Sequence, residues 1–259
     1  MKTLCGFAAI LLYTFSVLAW SDGDVGTLGQ RIEQDGYRAD ADDLQVAHDL
    51  LKAKADSDPS GKYLYYYLGY ADYTLAGVLA TSDAGRATDM AEDAQAALLH
   101  ALKLDPAFAE AEALLGASYG LEIGLHPFKG LWLGSKAQAH SARAWQLAPQ
   151  DPRVIMLQAV SDFSTPSSFG GDRQRALQRF HAAVAAFDAF HDADPLAPAW
   201  GRAEAQEWLG YAESRSGDFA AARADLGKAL QLEPGYKLAQ RRLTALPAAS
   251  SRAAAAGTL

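Results

Sequence analysis

Residues 206–234 read QEWLGYAESRSGDFAAARADLGKALQLEP, and their spacing decides the fold. Leu209-Gly210 is followed by Gly217 at a turn, then by Ala222, Leu226 and Ala229 on a helical period, and Pro234 closes the run. The small side chains at Gly210, Ala222 and Ala229 let two helices approach closely. Pro234 ends the second helix, because its ring removes a backbone donor. The same markers recur upstream with more residues between the helices. Leu68-Gly69 pairs with Ala94, Leu98, Ala101 and Pro106, and Leu115-Gly116 with Ala137, Ser141, Ala144 and Pro149. A weaker copy runs from Leu157-Gln158 through Ala176, Phe180 and Ala183 to a delayed Pro195.

This pattern resembles the tetratricopeptide repeat, a unit of about 34 residues in two antiparallel helices. The copy at 206–234 departs from it only near its start, where Gln206 stands in place of an aromatic residue. The resemblance implies an all-α, right-handed solenoid of four helical hairpins, at about 61–106, 109–149, 152–195 and 199–234. A helix with Leu44, Ala47 and Leu51 on one face precedes them, and a cap helix over 236–246 follows. A narrower resemblance, to exported bacterial repeat proteins, rests on four stretches: 119–127, Gly134-Ser135-Lys136, Asp151-Pro152-Arg153 and 166–172. It implies fold and export and carries no chemistry.

The first residues read as a targeting signal. Lys2 precedes an apolar run from Leu4 to Ala19, and Val17-Leu18-Ala19 ends it with small residues suited to cleavage. The expectation is a signal peptide over 1–19, a flexible leader over 20–39, a repeat domain over 40–246 and a disordered tail over 247–259, located in the periplasm. The alternative is an uncleaved segment anchoring the chain in the inner membrane. Cys5, the only cysteine, falls in this signal, so the mature chain would carry no thiol for catalysis or for binding zinc or iron–sulfur clusters. Half of the 259 residues are hydrophobic, enough for a sizeable core, and acids outnumber bases 31 to 23. That balance excludes a nucleic-acid binder, which needs clustered cations against phosphate.

The resemblance places groove-facing residues at positions two, five, nine and twelve of each first helix. In the first repeat these are Tyr63, Tyr66, Tyr70 and Tyr73; in the second, Glu110, Ala113, Ala117 and Gly120; in the third, Pro152, Ile155, Ala159 and Asp162; in the fourth, Glu204, Glu207, Tyr211 and Ser214. The groove thus runs from aromatic through small to acidic. Tyrosines offer flat apolar area with a hydroxyl at low entropy cost, which suits recognition. The competing reading is that the leader or an inserted loop covers them.

The insertion from Leu121 to Gly134 contains His126, Phe128 and Trp132, expected to form a lid or wedge packed on the groove. Glu122 and His126 stand four apart, but two ligands are too few for a metal site. In the loop from Ser164 to Asp172, the paired glycines and Asp172 suit a helix cap, which competes with any use of the same N–H groups to hold an anion. The remaining histidines are scattered singly, and no phosphate-loop lysine, dinucleotide fingerprint or nucleophile elbow is present. The reading is therefore a non-catalytic protein without cofactor or metal that binds a peptide or protein partner in its groove. The alternative is a carrier of a small apolar or aromatic ligand.

Overall fold

Eleven α-helices follow one another along the described residues, 25–191 and 194–247, of a computed structural model. They are α1 (Val25–Arg38), α2 (Ala41–Ser57), α3 (Lys62–Leu79), α4 (Ala84–Leu104), α5 (Ala109–Leu125), α6 (Gly130–Leu147), α7 (Pro152–Ser164), α8 (Arg173–Ala189), α9 (Arg202–Ser216), α10 (Phe219–Leu232) and α11 (Lys237–Ala245). The signal segment 1–19, with Cys5, and the tail from 248 onward lie outside the described residues.

Aspartates start five of these helices. Asp40, Asp83, Asp151, Asp172 and Asp218 each accept a hydrogen bond from a backbone N–H of the first turn that has no partner within the helix. Helices α3 to α10 pack as four successive hairpins, and each first helix also packs against a neighbouring hairpin. The Leu-Gly markers sit where the two helices of a hairpin are closest. A methyl group built on Gly69 would lie 2.6 Å from Leu98 Cγ, and one on Gly210 would lie 2.8 Å from Leu226 Cγ. No side chain fits there without separating the helices.

One expectation is overturned at the amino-terminal end. Most of the leader read as flexible over 20–39 is the helix α1, packed against α2, α3 and α11. Val25, Leu28, Gly29, Ile32, Gly36 and Tyr37 recur at three- and four-residue steps, and Leu28 and Ile32 are fully buried. Among the described residues, no helix is long and apolar enough to cross a membrane.

Candidate functional site

The aromatic face of α3 is closed by the protein itself. Tyr66, Tyr67 and Tyr70 are buried, and Tyr63 and Tyr73 are half-buried. Segment 194–201, between α8 and α9, returns to the first hairpin and lies on these rings. Trp200 stacks on Tyr70 with centroids 4.6 Å apart and planes 14° apart, and its Nε1 donates to the Tyr66 hydroxyl at 2.9 Å. The Tyr67 hydroxyl donates to the Ala197 carbonyl at 3.0 Å, and Tyr63 donates to Asp194 at 2.7 Å. Phe108 stacks on the Tyr66 ring, with centroids 4.9 Å apart.

Helix α1 completes the filling. A methyl group on Gly29 would lie 2.2 Å from Tyr67 Cε1, and one on Gly36 would lie 2.6 Å from Thr74 Cγ2. The two glycines stand seven apart, as do Tyr67 and Thr74, so α1 lies along α3 at close range. Burying Trp200, Tyr66 and Tyr70 is worth on the order of 10 kcal/mol at about 25 cal/mol/Å². The face is therefore core, and an outside ligand does not compete for it.

Beyond the rings, α1 meets the fourth hairpin in a buried polar node. Glu33 accepts from the Gly201 N–H at 3.0 Å. The Tyr37 hydroxyl lies between the carboxyl groups of Glu33, at 2.7 Å, and Glu204, while its ring packs on Tyr236 with centroids 4.5 Å apart. Burial raises the pKa values of both Glu33 and Glu204; the nearby Glu33 carboxyl pushes Glu204 further up, and Glu233 does the same to Glu33. Glu207, fully buried, pairs with Arg242 at 2.5 Å, yet burial still pushes its carboxyl up to about 7. The Arg242 guanidinium lies over the Tyr211 ring, 3.6 Å from its centroid.

The chain matches no protein-family model and no curated protein. It is similar in structure to the HusA haemophore from Porphyromonas gingivalis, with a TM-score of 0.59 and 21% identity over 75% of this chain and 97% of that one. It is also similar to TTC0263, a thermophilic tetratricopeptide-repeat protein of Thermus thermophilus, with a TM-score of 0.53 and 16% identity over 83% of this chain and 97% of that one. The fold is that of a tetratricopeptide-repeat solenoid.

Within this solenoid the residues expected to line the groove fall into three groups. Tyr66, Tyr70, Ala113 and Ile155 are buried in one core cluster, and Ala159 in another, because the first helices pack on each other and on the filling. Asp162 and Glu207 are buried and committed to internal cations. Arg175 donates to Asp162 from Nε at 3.0 Å and from Nη2 at 2.7 Å, and Arg179 reaches the same carboxylate. A cleft of about 360 Å³ opens beside this node, lined in part by Gln138, Gln158, Phe169 and both arginines. The acidic residues Asp162 and Glu207 expected in the groove are thus internal. A third group is partly accessible: Tyr63, Tyr73, Glu110, Ala117, Tyr211 and Ser214 are half-buried, and Gly120 is exposed with nothing within 4 Å of where a Cβ would stand.

The expected lid does not close on the groove. Phe128 and Trp132 are exposed, and His126 bonds through Nε2 to Thr88 of α4 at 2.8 Å. Glu122, its notional metal partner, is held instead by Gln95 at 2.6 Å and Lys129 at 2.5 Å. Asp172 caps α8 by accepting from Gln174 and Arg175, so the N–H groups of that loop are used. Other histidines are packed or paired: His48 with Asp72 at 2.5 Å, His140 with Glu112 at 2.6 Å, and His100 stacked on Tyr65. Among the described residues no group of three or more His, Cys, Asp or Glu stands ready to hold a metal. Sequence reasoning missed Trp200 and α1. The signal for α1 was its helical spacing; Trp200, in a loop, carried none.

Proposed function

We propose that the chain is a non-catalytic, exported scaffold that engages a protein or peptide partner through the part of its concave surface left open beyond its own filling. The observation that carries this reading is the division of the groove. Tyr66, Tyr67 and Tyr70 of α3 and the start of α9 are closed by α1 and Trp200, while Tyr73, Ala117, Gly120 and Tyr211 stay at least partly accessible. Gly120 leaves room there for a partner's side chain, and half-exposed tyrosines supply apolar area with hydroxyl groups. The apolar run from Leu4 to Ala19 supports export to the periplasm. A photoreactive side chain installed at Gly120 should crosslink a discrete partner in intact cells, and one at Lys103 on α4 should not. Equal crosslinking at both positions would remove the groove from the reading. Edman sequencing of the mature chain tests export, with a start near Trp20 expected.

A second reading, carriage of a small aromatic ligand, draws on the likeness to a haemophore. The tyrosine face that suggested it is occupied by Trp200, so a ligand would have to use other surface. Titration with haem, followed in the Soret band, should show a saturable shift if this reading holds; a linear response equal to free haem discards it.

A further inference from the structure

Helix α6 is unlike every other helix of the four hairpins: of its 18 residues only Leu133 and Ala144 are buried. Its outer side carries large apolar groups. Phe128 is 84% exposed, Leu131 83%, Trp132 55% and Trp145 36%, and Phe169, whose carbonyl accepts from Gln138 of α6 at 3.4 Å, is 67% exposed. Leu131, Gln138 and Trp145 stand seven apart along one line of the helix, with Phe128 and Trp132 next to Leu131 at its start and Phe169 beside Gln138, so the apolar groups share its outer side. An apolar stripe of this size is uncommon on a free surface.

The charge around the stripe identifies what it meets. The chain carries a net −8, yet 123–150 contains no aspartate or glutamate and three basic residues, Lys129, Lys136 and Arg143. Lys129 is tied to Glu122 and Glu92, whereas Lys136 and Arg143 are exposed along α6. A second copy docked on this side of α6 would bring the same cations, and no acid of 123–150 to pair with Lys136 and Arg143. Protruding Phe and Leu at a helix turn, Trp beside them and Lys or Arg on the flanks are the chemistry of a membrane interface, where aromatic rings lie at headgroup depth and cations meet lipid phosphates. We propose that the α6 stripe docks the protein peripherally on an anionic phospholipid bilayer, with Phe128, Leu131 and Trp132 entering the interface and Lys136 and Arg143 on its headgroups.

The test needs a readout local to α6, because the apolar run from Leu4 to Ala19 has its own affinity for lipid. The full chain as Cys5→Ser/Ser135→Cys, labelled at residue 135 with an environment-sensitive fluorophore, should brighten and shift to the blue on vesicles containing phosphatidylglycerol. It should do so at least about tenfold more weakly on pure phosphatidylcholine. Phe128→Ser/Leu131→Ser in that background should abolish the shift, and these exposed positions leave the fold intact. Lys136→Glu and Arg143→Glu should each weaken it about fivefold at low salt. No shift on anionic vesicles, or one unchanged by Phe128→Ser/Leu131→Ser, overturns the proposal. So does a shift that appears with polyglutamate and not with vesicles, which would assign the stripe to an acidic protein. A dimer by light scattering that Phe128→Ser/Leu131→Ser turns into a monomer, without a vesicle response, would assign it to a second copy.

Discussion

Trp200 lies flat on Tyr70, their ring planes 14° apart, although the two residues belong to opposite ends of the solenoid. The pair joins the loop before the last hairpin to the first helix of the first hairpin. Trp200→Ala removes this contact and the hydrogen bond to Tyr66 together, and should lower stability by about 3–5 kcal/mol. Tyr66→Phe leaves the buried indole N–H without its acceptor and should lose about 1–3 kcal/mol. Urea unfolding measures both; a loss under about 0.5 kcal/mol for Trp200→Ala would show that segment 194–201 is a loose cover.

Glycines separate the closed face from the open one. Gly29→Ala forces a methyl group into the Tyr67 ring, and the overpacking, about 1–3 kcal/mol, should outweigh the roughly 1 kcal/mol gained in helix propensity. Gly77→Ala and Gly124→Ala add a methyl group to a helix with nothing within 4 Å, and each should stabilise by about 0.5–1 kcal/mol. Thermal melts of the three variants check the opposite signs. Proteolysis of Gly29→Ala should cut first within α1.

Stability should fall as pH rises above about 5. Burial holds Glu207 up to about 7 and Asp35 up to about 6, and raises Glu33 and Glu204 as well. Above the ordinary carboxylate range the folded state therefore keeps protons that the unfolded chain has released, and each unit of rising pH favours unfolding until the folded value is passed. His48, raised by its bond to Asp72, works in the same direction: its contribution is complete below its ordinary value of 6.5 and is lost as pH rises through its folded value. Below about pH 4 the sign reverses, because Asp105 and Asp194, lowered by Lys62 and Tyr63, lose their bonds on protonation. Melting temperature across pH 3–9 should peak between about 4 and 4.5, and Glu207→Gln should flatten the slope between about 4.5 and 7.

Asp162 holds two guanidinium groups, and replacing it leaves them facing each other. Asp162→Asn should lower stability by about 1–3 kcal/mol, since both arginines keep part of their contact with water. Removing Arg179 as well should recover part of the loss, because the repulsion disappears. A double-mutant cycle in urea reads this coupling.

The sequence alone determined the solenoid and its register. Leu-Gly pairs, small residues at helix crossings and closing prolines are local requirements of a helical hairpin, repeated often enough to be read without a structure. Gly69 and Gly210 are legible because each one's environment lies within its own repeat. The fate of Tyr63, Tyr66, Tyr70 and Tyr73 was not legible. A tyrosine face on an isolated helix looks the same whether it meets a partner, a ligand or another part of the chain, and its neighbours here, Ala197 and Trp200, lie about 130 residues away. The same holds for Glu204 and Glu207, which read as an acidic surface until Tyr37 and Arg242 are placed against them. Tertiary structure decided what fills the groove, because burial of an aromatic face depends on which distant segment returns to it. It also decided which faces stay bare: the α6 stripe stands out only once the other helices of the four hairpins are seen to bury more of their residues.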